Sequence, residues 1–285
     1  MPATLHEIRD YTIDPAWFAA YQQWAREHAV PWLRANLDMV GFSAPGAFAE
    51  YIATREKYCW KLDGLREHFG EDQLYEVAAL VEPIGCAYNG MFIAAGGLRP
   101  GAYVAIYGAG PIGLGALLMA RAAGAAKIFM FETSPERCAL AQEMGADYVG
   151  NPLELKAAGT SPSEVVRELT KGHGVDMQVE AAGAATLTVP EMEKSFAPNG
   201  KMVYLGRAGN ATRMHLDTLV SQANMIVGAR GHAGYGIYPY ILRMLATGRV
   251  PARKMITSYF GFSNVLDAMK QSSARTDGKI MVTFE

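Results

Sequence analysis

The sequence lacks the features that mark secreted, membrane-spanning and nucleic-acid-binding proteins. Its first ten residues contain neither the basic region nor the apolar region of a signal peptide. No segment has the uninterrupted apolar length of a membrane span. The formal net charge is −2 and there is no run of basic residues, which argues against a nucleic-acid surface. We therefore expect a cytoplasmic protein that binds neither membranes nor nucleic acid.

Cysteine is scarce as well. The three cysteines, Cys59, Cys86 and Cys138, are an odd number, lie far apart and form no C-x-x-C pair. This pattern indicates neither a disulfide framework nor a thiolate zinc site. We predict that each cysteine is a small buried hydrophobe.

The sequence does contain a strong dinucleotide-binding pattern, VAIYGAGPIG at residues 104–113. An apolar, strand-like run stops at the first glycine of a G-x-G-x-x-G spacing, and a helical pattern follows. The first glycine allows a tight turn, the second lets the backbone approach a pyrophosphate, and the third lets the helix pack on the strand. The N-terminus of the helix favours an anion. The predicted cofactor-binding residues in this turn are Gly108, Gly110, Pro111, Ile112 and Gly113.

An acidic residue follows the next apolar run. Glu132 lies 19 residues after Gly113, where a carboxylate can hold the ribose hydroxyls of NAD. The same carboxylate repels the 2′-phosphate of NADP, although Ser134 and Arg137 are close enough in sequence to receive that phosphate. We therefore predict NAD as the cofactor rather than NADP. Arg137 is assigned to the cofactor site, with a solvated helix face as its alternative.

Strand-like and helix-like stretches alternate from about residue 100, which is typical of a doubly wound parallel sheet of the α/β class. The predicted strands lie near residues 104–107, 128–132, 147–150, 176–180, 201–206 and 225–228. The predicted helices lie near residues 111–123, 134–144, 161–171, 185–196 and 217–223. We therefore predict a Rossmann domain over residues 97–248.

Further motifs occur in a fixed order: GAFAEY, LVEP, GAGPIGL, MGAD, VEAAG and GKIMVTF. In their order and spacing, residues 41–285 resemble the medium-chain dehydrogenase/reductase family, especially its zinc-dependent polyol branch. The AYN after LVEP and the loop GHAGYG look most similar to cyclitol dehydrogenases. The resemblance implies an oxidoreductase for a small-molecule substrate. It also implies that Gly206, after the fifth predicted strand, belongs to the cofactor site.

The resemblance fails at the zinc ligands. Family members have a longer N-terminal segment with a cysteine and a Gly-His-Glu segment that hold zinc, and this sequence has neither. Only Glu82 of LVEP remains, and one carboxylate cannot complete a tetrahedral site. We therefore expect no metal. The resemblance implies that residues 1–96 and 249–285 form a truncated GroES-like β-barrel remnant. In this remnant the strand-like stretch 46–62 is expected to pair with the C-terminal segment 255–285.

A helix with an aromatic face is predicted after Asp14 and Pro15, which form a good N-cap and first position. This self-contained start leads us to expect that no residue precedes Met1. The aromatic face of this helix packs on the barrel remnant, contacts a second subunit or lines the substrate pocket. The strand near residues 225–228 forms the outer edge of the predicted sheet. The resemblance implies dimers that continue the sheet across such an edge, so we also expect a homo-oligomer through it. The aromatic residues on the face of the predicted helix are Trp17, Phe18, Tyr21 and Trp24.

Four residues are candidates for catalysis because the resemblance places them near the nicotinamide. Glu82, held extended before Pro83, either faces the pocket or caps a helix start. Asn89 either contacts substrate or is a buried hydrogen-bonding residue. Arg230 is a clamp for an oxyanion. His232 either shuttles a proton near neutral pH or is inert.

Two classes of function follow. The first is a zinc-independent, NAD-dependent oxidoreductase that interconverts a secondary alcohol and a ketone on a polyol or cyclitol-like substrate. The second is a remnant that binds the dinucleotide without catalysis or with another chemistry.

Overall fold

The computed structural model describes residues 5–7, 59–231, 234 and 236–284. The predicted aromatic helix, residues 46–58 of the strand-like stretch 46–62, and His232 therefore lie outside the described residues.

The described residues form two compact units. The larger unit contains Leu62–Thr257 and Arg275–Lys279. The smaller unit contains Ser258–Ala274, the residues from Ile280 onward and the first strand, β1 (Leu5–Glu7). The division of the sequence into three domains stays a prediction.

A sheet of six parallel strands forms the centre of the larger unit. The strands are β2 (Tyr103–Tyr107), β3 (Lys127–Phe131), β4 (Tyr148–Gly150), β5 (Val175–Glu180), β6 (Phe196–Tyr204) and β7 (Met225–Gly228). Their order across the sheet is β4-β3-β2-β5-β6-β7, so the direction of winding reverses between β2 and β5. The prediction of a doubly wound parallel α/β sheet is confirmed. A ligand crevice is expected at this reversal, outside the carboxyl ends of the strands.

Two neighbouring strands of the sheet, β2 and β3, form because they are almost entirely apolar. Val104, Ala105 and Ile106 of β2 are completely buried, as are Ile128 and Phe129 of β3. Continuous apolar runs are typical of parallel strands that helices cover on both faces. These strands give the carboxyl edge of the sheet a rigid base.

Ten helices of the larger unit are described. They are α1 (Asp63–Arg66), α2 (Glu71–Ala79), α3 (Val81–Tyr88), α4 (Pro111–Ala122), α5 (Pro135–Glu143), α6 (Pro152–Ala157), α7 (Pro162–Leu169), α8 (Ala185–Lys194), α9 (Asp217–Gln222) and α10 (Ile237–Ala246). Three consecutive helices, α5, α6 and α7, begin with proline after a capping residue. The side chains of Ser134, Asn151 and Ser161 accept hydrogen bonds from backbone N–H groups of the first turn. This is a strong local signal for a helix start.

The helices before the sheet form one nearly continuous run. Leu80 between α2 and α3 has helical backbone angles, and a π-helical turn at Asn89–Ala94 follows α3 directly. Of the described residues, only the run Glu71–Ala94 is long and apolar enough to cross a membrane. Half of its apolar window is buried inside the fold, and core helices of soluble proteins pass the same test, so this is weak evidence for a span.

The π-helical turn is fixed to the sheet at both of its ends. A Cβ atom on Gly90 would lie 2.7 Å from side-chain atoms of Val203 and Leu205, so the turn packs directly on the end of β6. Beyond the turn, the Lys201 ammonium group donates hydrogen bonds to the carbonyl oxygens of Ala95 and Gly97, each at 2.8 Å.

The smaller unit contains a three-stranded sheet. Its strands are β8 (Ile256–Gly261), β9 (Lys279–Thr283) and β1, in the order β1-β9-β8, and β1 pairs with β9 in antiparallel orientation. A final helix, α11 (Val265–Ala274), packs on it through Ala268. The predicted pairing of the C-terminal segment with the stretch 46–62 stays a prediction, because residues 46–58 lie outside the described residues.

The prediction that all three cysteines are buried is wrong. Cys59 is exposed, and Cys86 and Cys138 are half-buried. Cys59 lies before α1, in a stretch that forms neither helix nor strand.

Strand β7 forms one edge of the six-stranded sheet, and its residues Met225 and Ile226 are exposed among the described residues. Oligomerisation through this edge stays a prediction.

Candidate dinucleotide site

Two glycines of the turn between β2 and α4 are required by the packing of the protein itself. Gly108 has a φ of +97°, and a Cβ atom there would lie 2.8 Å from the backbone of Ala182. A Cβ atom on Gly113 would collide with the carbonyl oxygen of Gly108. These positions hold the strand, the turn and the helix in close contact.

Gly110 differs, because the surrounding protein leaves room for a side chain there. Its backbone is extended, with φ −72° and ψ −178°, and it is the N-cap residue of α4. A Cβ atom at this position would meet only a guanidinium nitrogen of Arg137, at an ordinary contact distance of 3.7 Å. The bare backbone therefore opens a space directly before the helix N-terminus, and this space suits a phosphate group. Pro111 and Ile112, both half-buried, border it at the first positions of the helix.

The Glu132 carboxylate holds the glycine turn in place. One oxygen accepts a hydrogen bond from the backbone N–H of Ala109 at 2.8 Å. The other accepts from the N–H groups of Thr133 at 2.6 Å and Ser134 at 3.0 Å. The carboxylate thus connects the end of β3 with the adjacent turn, and it is half-buried at the rim of the crevice. A ribose hydroxyl would have to share its oxygens with these backbone donors.

Arg137 lies at the same turn. Its Nε donates a hydrogen bond to the carbonyl oxygen of Asp277 at 2.7 Å, and its terminal nitrogen lies beside the space at Gly110. The side chain is half-buried. The C-terminal segment 275–279 therefore aims the guanidinium group toward the phosphate space.

A thiol lies behind the Glu132 loop. Cys138 Sγ donates to the carbonyl oxygen of Glu132 at 3.3 Å. Burial, together with the negative charge of Glu132, raises the pKa of the Cys138 thiol. The thiol is therefore kept protonated and weakly reactive.

The structure places Glu82 inside a helix rather than before one. It lies in the first turn of α3 and is half-buried, and the Cys86 thiol donates to it at 3.8 Å. The prediction that Pro83 holds Glu82 in an extended conformation is wrong. Pro83 lies at the third position of α3, where a missing N–H costs no hydrogen bond, and the preceding Leu80 is already helical.

Two of the four catalytic candidates are brought together. Asn89 follows α3, and its amide nitrogen donates to the carbonyl oxygen of Gly231 at 2.9 Å and of Arg230 at 3.5 Å. Asn89 therefore fixes the loop that carries Arg230, whose own side chain is exposed. Glu82 lies two helical turns before Asn89, on the same face. His232 is outside the described residues.

Sequence reasoning missed Glu180, the last residue of β5. It is fully buried at the carboxyl edge of the sheet, next to the reversal point. A Cβ atom on the predicted cofactor residue Gly206 would collide with one oxygen of this carboxyl group. The acidic residue in the apolar sequence MQVEAAG is the signal that could have revealed it.

In the part of the chain that the structure describes, no three histidine, cysteine, aspartate or glutamate side chains come together as metal ligands. The expectation of a zinc-free protein stays a prediction.

Comparison with known proteins gives consistent matches. The family described as zinc-binding dehydrogenase matches residues 111–247. Scyllo-inosose 3-dehydrogenase of Thermotoga maritima is 33% identical over 240 residues, or 83% of this chain. L-threonine 3-dehydrogenase of Pyrococcus horikoshii is 30% identical over 248 residues, which are 86% of this chain and 67% of that protein.

A solved structure shows the same fold. It is that of a candidate alcohol dehydrogenase from Thermotoga maritima, with a TM-score of 0.81 and 32% identity, and the match covers 87% of this chain and 62% of that chain. The chain spans only 59% of the length of the scyllo-inosose 3-dehydrogenase.

Proposed function

We propose, since the chain belongs to the medium-chain dehydrogenase/reductase family, that it is an NAD-dependent oxidoreductase that interconverts a secondary alcohol and a ketone. The observation that carries the proposal is the glycine turn at the reversal point, with its open space at Gly110 and its bond to Glu132. The named relatives act on scyllo-inosose and threonine, as their names state. We infer a polyol or cyclitol-like substrate.

The residues present fit a dinucleotide. The space before α4 accepts the pyrophosphate, Glu132 accepts hydrogen bonds from the ribose, and Arg137 adds positive charge at the phosphates. NAD supplies the two-electron redox chemistry when it is bound. The protein contributes the binding, the orientation and the proton handling.

Proton handling is assigned to the four candidates for catalysis. We infer that His232 exchanges the proton of the substrate hydroxyl and that Arg230 stabilises the developing alkoxide. Glu82 orients these two side chains. Asn89 contributes by fixing the Arg230–Gly231 backbone. A positioned acid or base of this kind contributes about 10²–10⁴-fold to rate.

The cofactor preference is testable at Glu132. Because its carboxylate repels a 2′-phosphate, the wild type is expected to bind NADH at least about tenfold more tightly than NADPH. Glu132→Gln should shrink this ratio, since the amide is uncharged. Calorimetric titration with both nucleotides measures it. The matched control is Glu136→Gln, which removes an equal charge from an exposed position in α5. Equal or tighter binding of NADPH by the wild type would contradict the assignment.

Zinc content is the second test. The sequence lacks the cysteine and the Gly-His-Glu segment that hold zinc in the family, so we propose that binding of the dinucleotide needs no metal. Elemental analysis after dialysis should find well under one zinc per chain, and a chelator should leave NADH affinity unchanged. Stoichiometric zinc that survives dialysis would overturn the proposal.

A second function has one observation in its favour. The sequence lacks the cysteine and the Gly-His-Glu segment that hold zinc in the family. The alternative is a protein that binds the dinucleotide without turning over a substrate. Tight NADH binding without oxidation or reduction of any cyclitol, polyol or simple ketone would favour it.

A further inference from the structure

An arginine stands directly after β6 and has no partner for its charge. Arg207 lies three residues beyond the end of the strand, and its side chain is exposed. Among the described residues it forms no ion pair, side-chain hydrogen bond or ring contact. Arg121 and Arg253, in contrast, pair with carboxylates. The function proposed so far gives Arg207 no role, although a guanidinium group can hold a carboxylate or a phosphate through two parallel hydrogen bonds.

The backbone of Arg207 is fixed at the carboxyl edge of the sheet. The N–H groups of Leu205 and Gly206 both donate to the carbonyl oxygen of Glu180 at 2.9 Å. A Cβ atom on Gly183, in the loop after β5, would lie 3.2 Å from the carbonyl oxygen of Arg207. The loop after β6 is therefore packed on the loop after β5, and the Arg207 side chain starts from a rigid base.

The π-helical turn holds the loop of Arg207 beside the loop that carries Arg230. A Cβ atom on Gly90 would lie 2.7 Å from the side chain of Leu205, two residues before Arg207. The adjacent residue, Asn89, donates to the backbone carbonyl oxygen of Arg230. Strands β6 and β7 are parallel neighbours in the sheet. The two exposed arginines therefore extend from adjacent loops at the same edge.

The loops after β5, β6 and β7 carry no accessible carboxylate. The segments concerned are 181–184, 205–216 and 229–231. They contain three arginines and neither aspartate nor glutamate. The carboxyl group of Glu180, at the end of β5, is fully buried. In these loops an anion that approaches Arg207 meets positive charge and no competing carboxylate.

The proposed course of the dinucleotide leaves this end of the crevice for the substrate. A dinucleotide lies across the reversal point, with its pyrophosphate at the glycine turn. Glu132 follows β3 and takes the ribose of the adenosine half, so the nicotinamide half extends toward β5 and β6. Strand β6 is two strands away from β2, or about 10 Å at the usual strand spacing. Arg207 therefore flanks the redox end of the cofactor rather than its pyrophosphate.

We propose that Arg207 is a specificity-determining residue that binds an oxyanion of the substrate, either a carboxylate or a phosphate group on the polyol or cyclitol skeleton. The proposal rests on the proposed oxidoreductase function. The guanidinium group of Arg207 anchors the acidic group, while Arg230 stays at the reacting oxygen. A neutral polyol with the same hydroxyl groups lacks this anchor and binds more weakly.

The experiment measures kcat and KM with NAD for two matched pairs of substrates. Gluconate against glucitol tests a carboxylate, and myo-inositol monophosphate against myo-inositol tests a phosphate. The wild type should have a kcat/KM at least about tenfold higher for the acid of one pair. Arg207→Gln should abolish this preference by raising the KM of the acid about 10–100-fold, with kcat and the KM of the neutral partner nearly unchanged. Arg207→Lys should recover part of it, because the charge remains and the fork is lost.

The matched control is Arg99→Gln. Arg99 is also exposed and has no ion pair among the described residues, but it lies before β2, at the opposite edge of the sheet. This variant should keep the wild-type preference. Added salt gives a second readout, since it should raise the KM of the acid and leave the KM of the neutral partner unchanged.

Equal kcat/KM values within both pairs overturn the proposal, and so does a preference that persists in Arg207→Gln. A loss of NADH affinity in Arg207→Gln, measured by calorimetric titration, also overturns it, because the guanidinium group then holds a phosphate of the cofactor. Turnover of the neutral polyols alone refutes the anion site and leaves the proposed function intact.

If none of the four compounds is turned over, calorimetric titration of gluconate and of myo-inositol monophosphate into the protein with NADH decides the question. Binding of either acid that is lost in Arg207→Gln supports the anion site, although the oxidoreductase proposal fails. Absence of binding by both acids overturns the anion site.

Discussion

A Gly110→Asp variant is expected to fold as stably as the wild type and to lose NADH binding by about 100-fold or more, which corresponds to about 2.7 kcal/mol. Aspartate is a preferred N-cap residue, and its charge interacts favourably with the N-terminus of α4. The protein leaves room for its Cβ atom. The same carboxylate would occupy and repel the space assigned to the pyrophosphate, where like charges cost several kcal/mol.

The matched control is Gly70→Asp. Gly70 is also an extended N-cap residue, at the start of α2, and nothing lies within 4 Å of a Cβ atom there. It adds the same charge at a helix start far along the chain from the glycine turn, so NADH affinity should stay near the wild-type value. Thermal unfolding and calorimetric titration measure the two effects separately. Wild-type affinity in a folded Gly110→Asp protein would show that the pyrophosphate does not bind at this turn.

Loss of His232 is expected to have the second large effect. His232→Ala should lower kcat for a cyclitol or polyol by about 10²–10⁴-fold while NADH affinity stays nearly unchanged, because the imidazole handles the substrate proton and does not hold the cofactor. Glu82→Gln should depress turnover in the same direction. Steady-state absorbance assays of NADH over a panel of cyclitols, polyols and ketones provide the measurement.

The control for this second experiment is His215→Ala, since His215 is an exposed histidine before α9. It should leave both kcat and NADH affinity unchanged. Full activity of His232→Ala would remove this histidine from the mechanism. If the wild type turns over no substrate of the panel, the oxidoreductase proposal fails and the dinucleotide-binding alternative takes its place.

Most strands could be predicted from the sequence because their apolar runs are continuous and end at turn residues. The start of β6 could not. Pro198, Asn199 and Gly200 are typical turn residues, which indicates a strand from residue 201, but β6 begins at Phe196. Asn199 has a φ of +59°, and the register of β5 with β6 shifts between Val175 and Met177, so the turn residues are accommodated within the strand. Helix α6 was also unpredictable by periodicity, because none of its residues is buried.

The candidate site, too, could be predicted from the sequence only in part. The glycine turn could be predicted because the residues that form it are neighbours in sequence. Three hydrogen bonds of the site join residues that are far apart in sequence. They link Glu132 to Ala109, Arg137 to Asp277 and Asn89 to Gly231, over 23, 140 and 142 positions. Such contacts depend on the packing of whole elements, which no local pattern encodes. The burial of Glu180 is a further tertiary result of this kind.

The π-helical turn at Asn89–Ala94 makes the chain length in this region a constraint on evolution. Deleting one residue would allow the turn to tighten into an ordinary α-helix, and each residue of an α-helix rotates the following chain by about 100°. The carbonyl groups of Ala95 and Gly97 would then face away from the Lys201 ammonium group that they now share. Related sequences that align here with a one-residue gap should therefore also have lost the lysine, so the gap and the substitution would be inherited together.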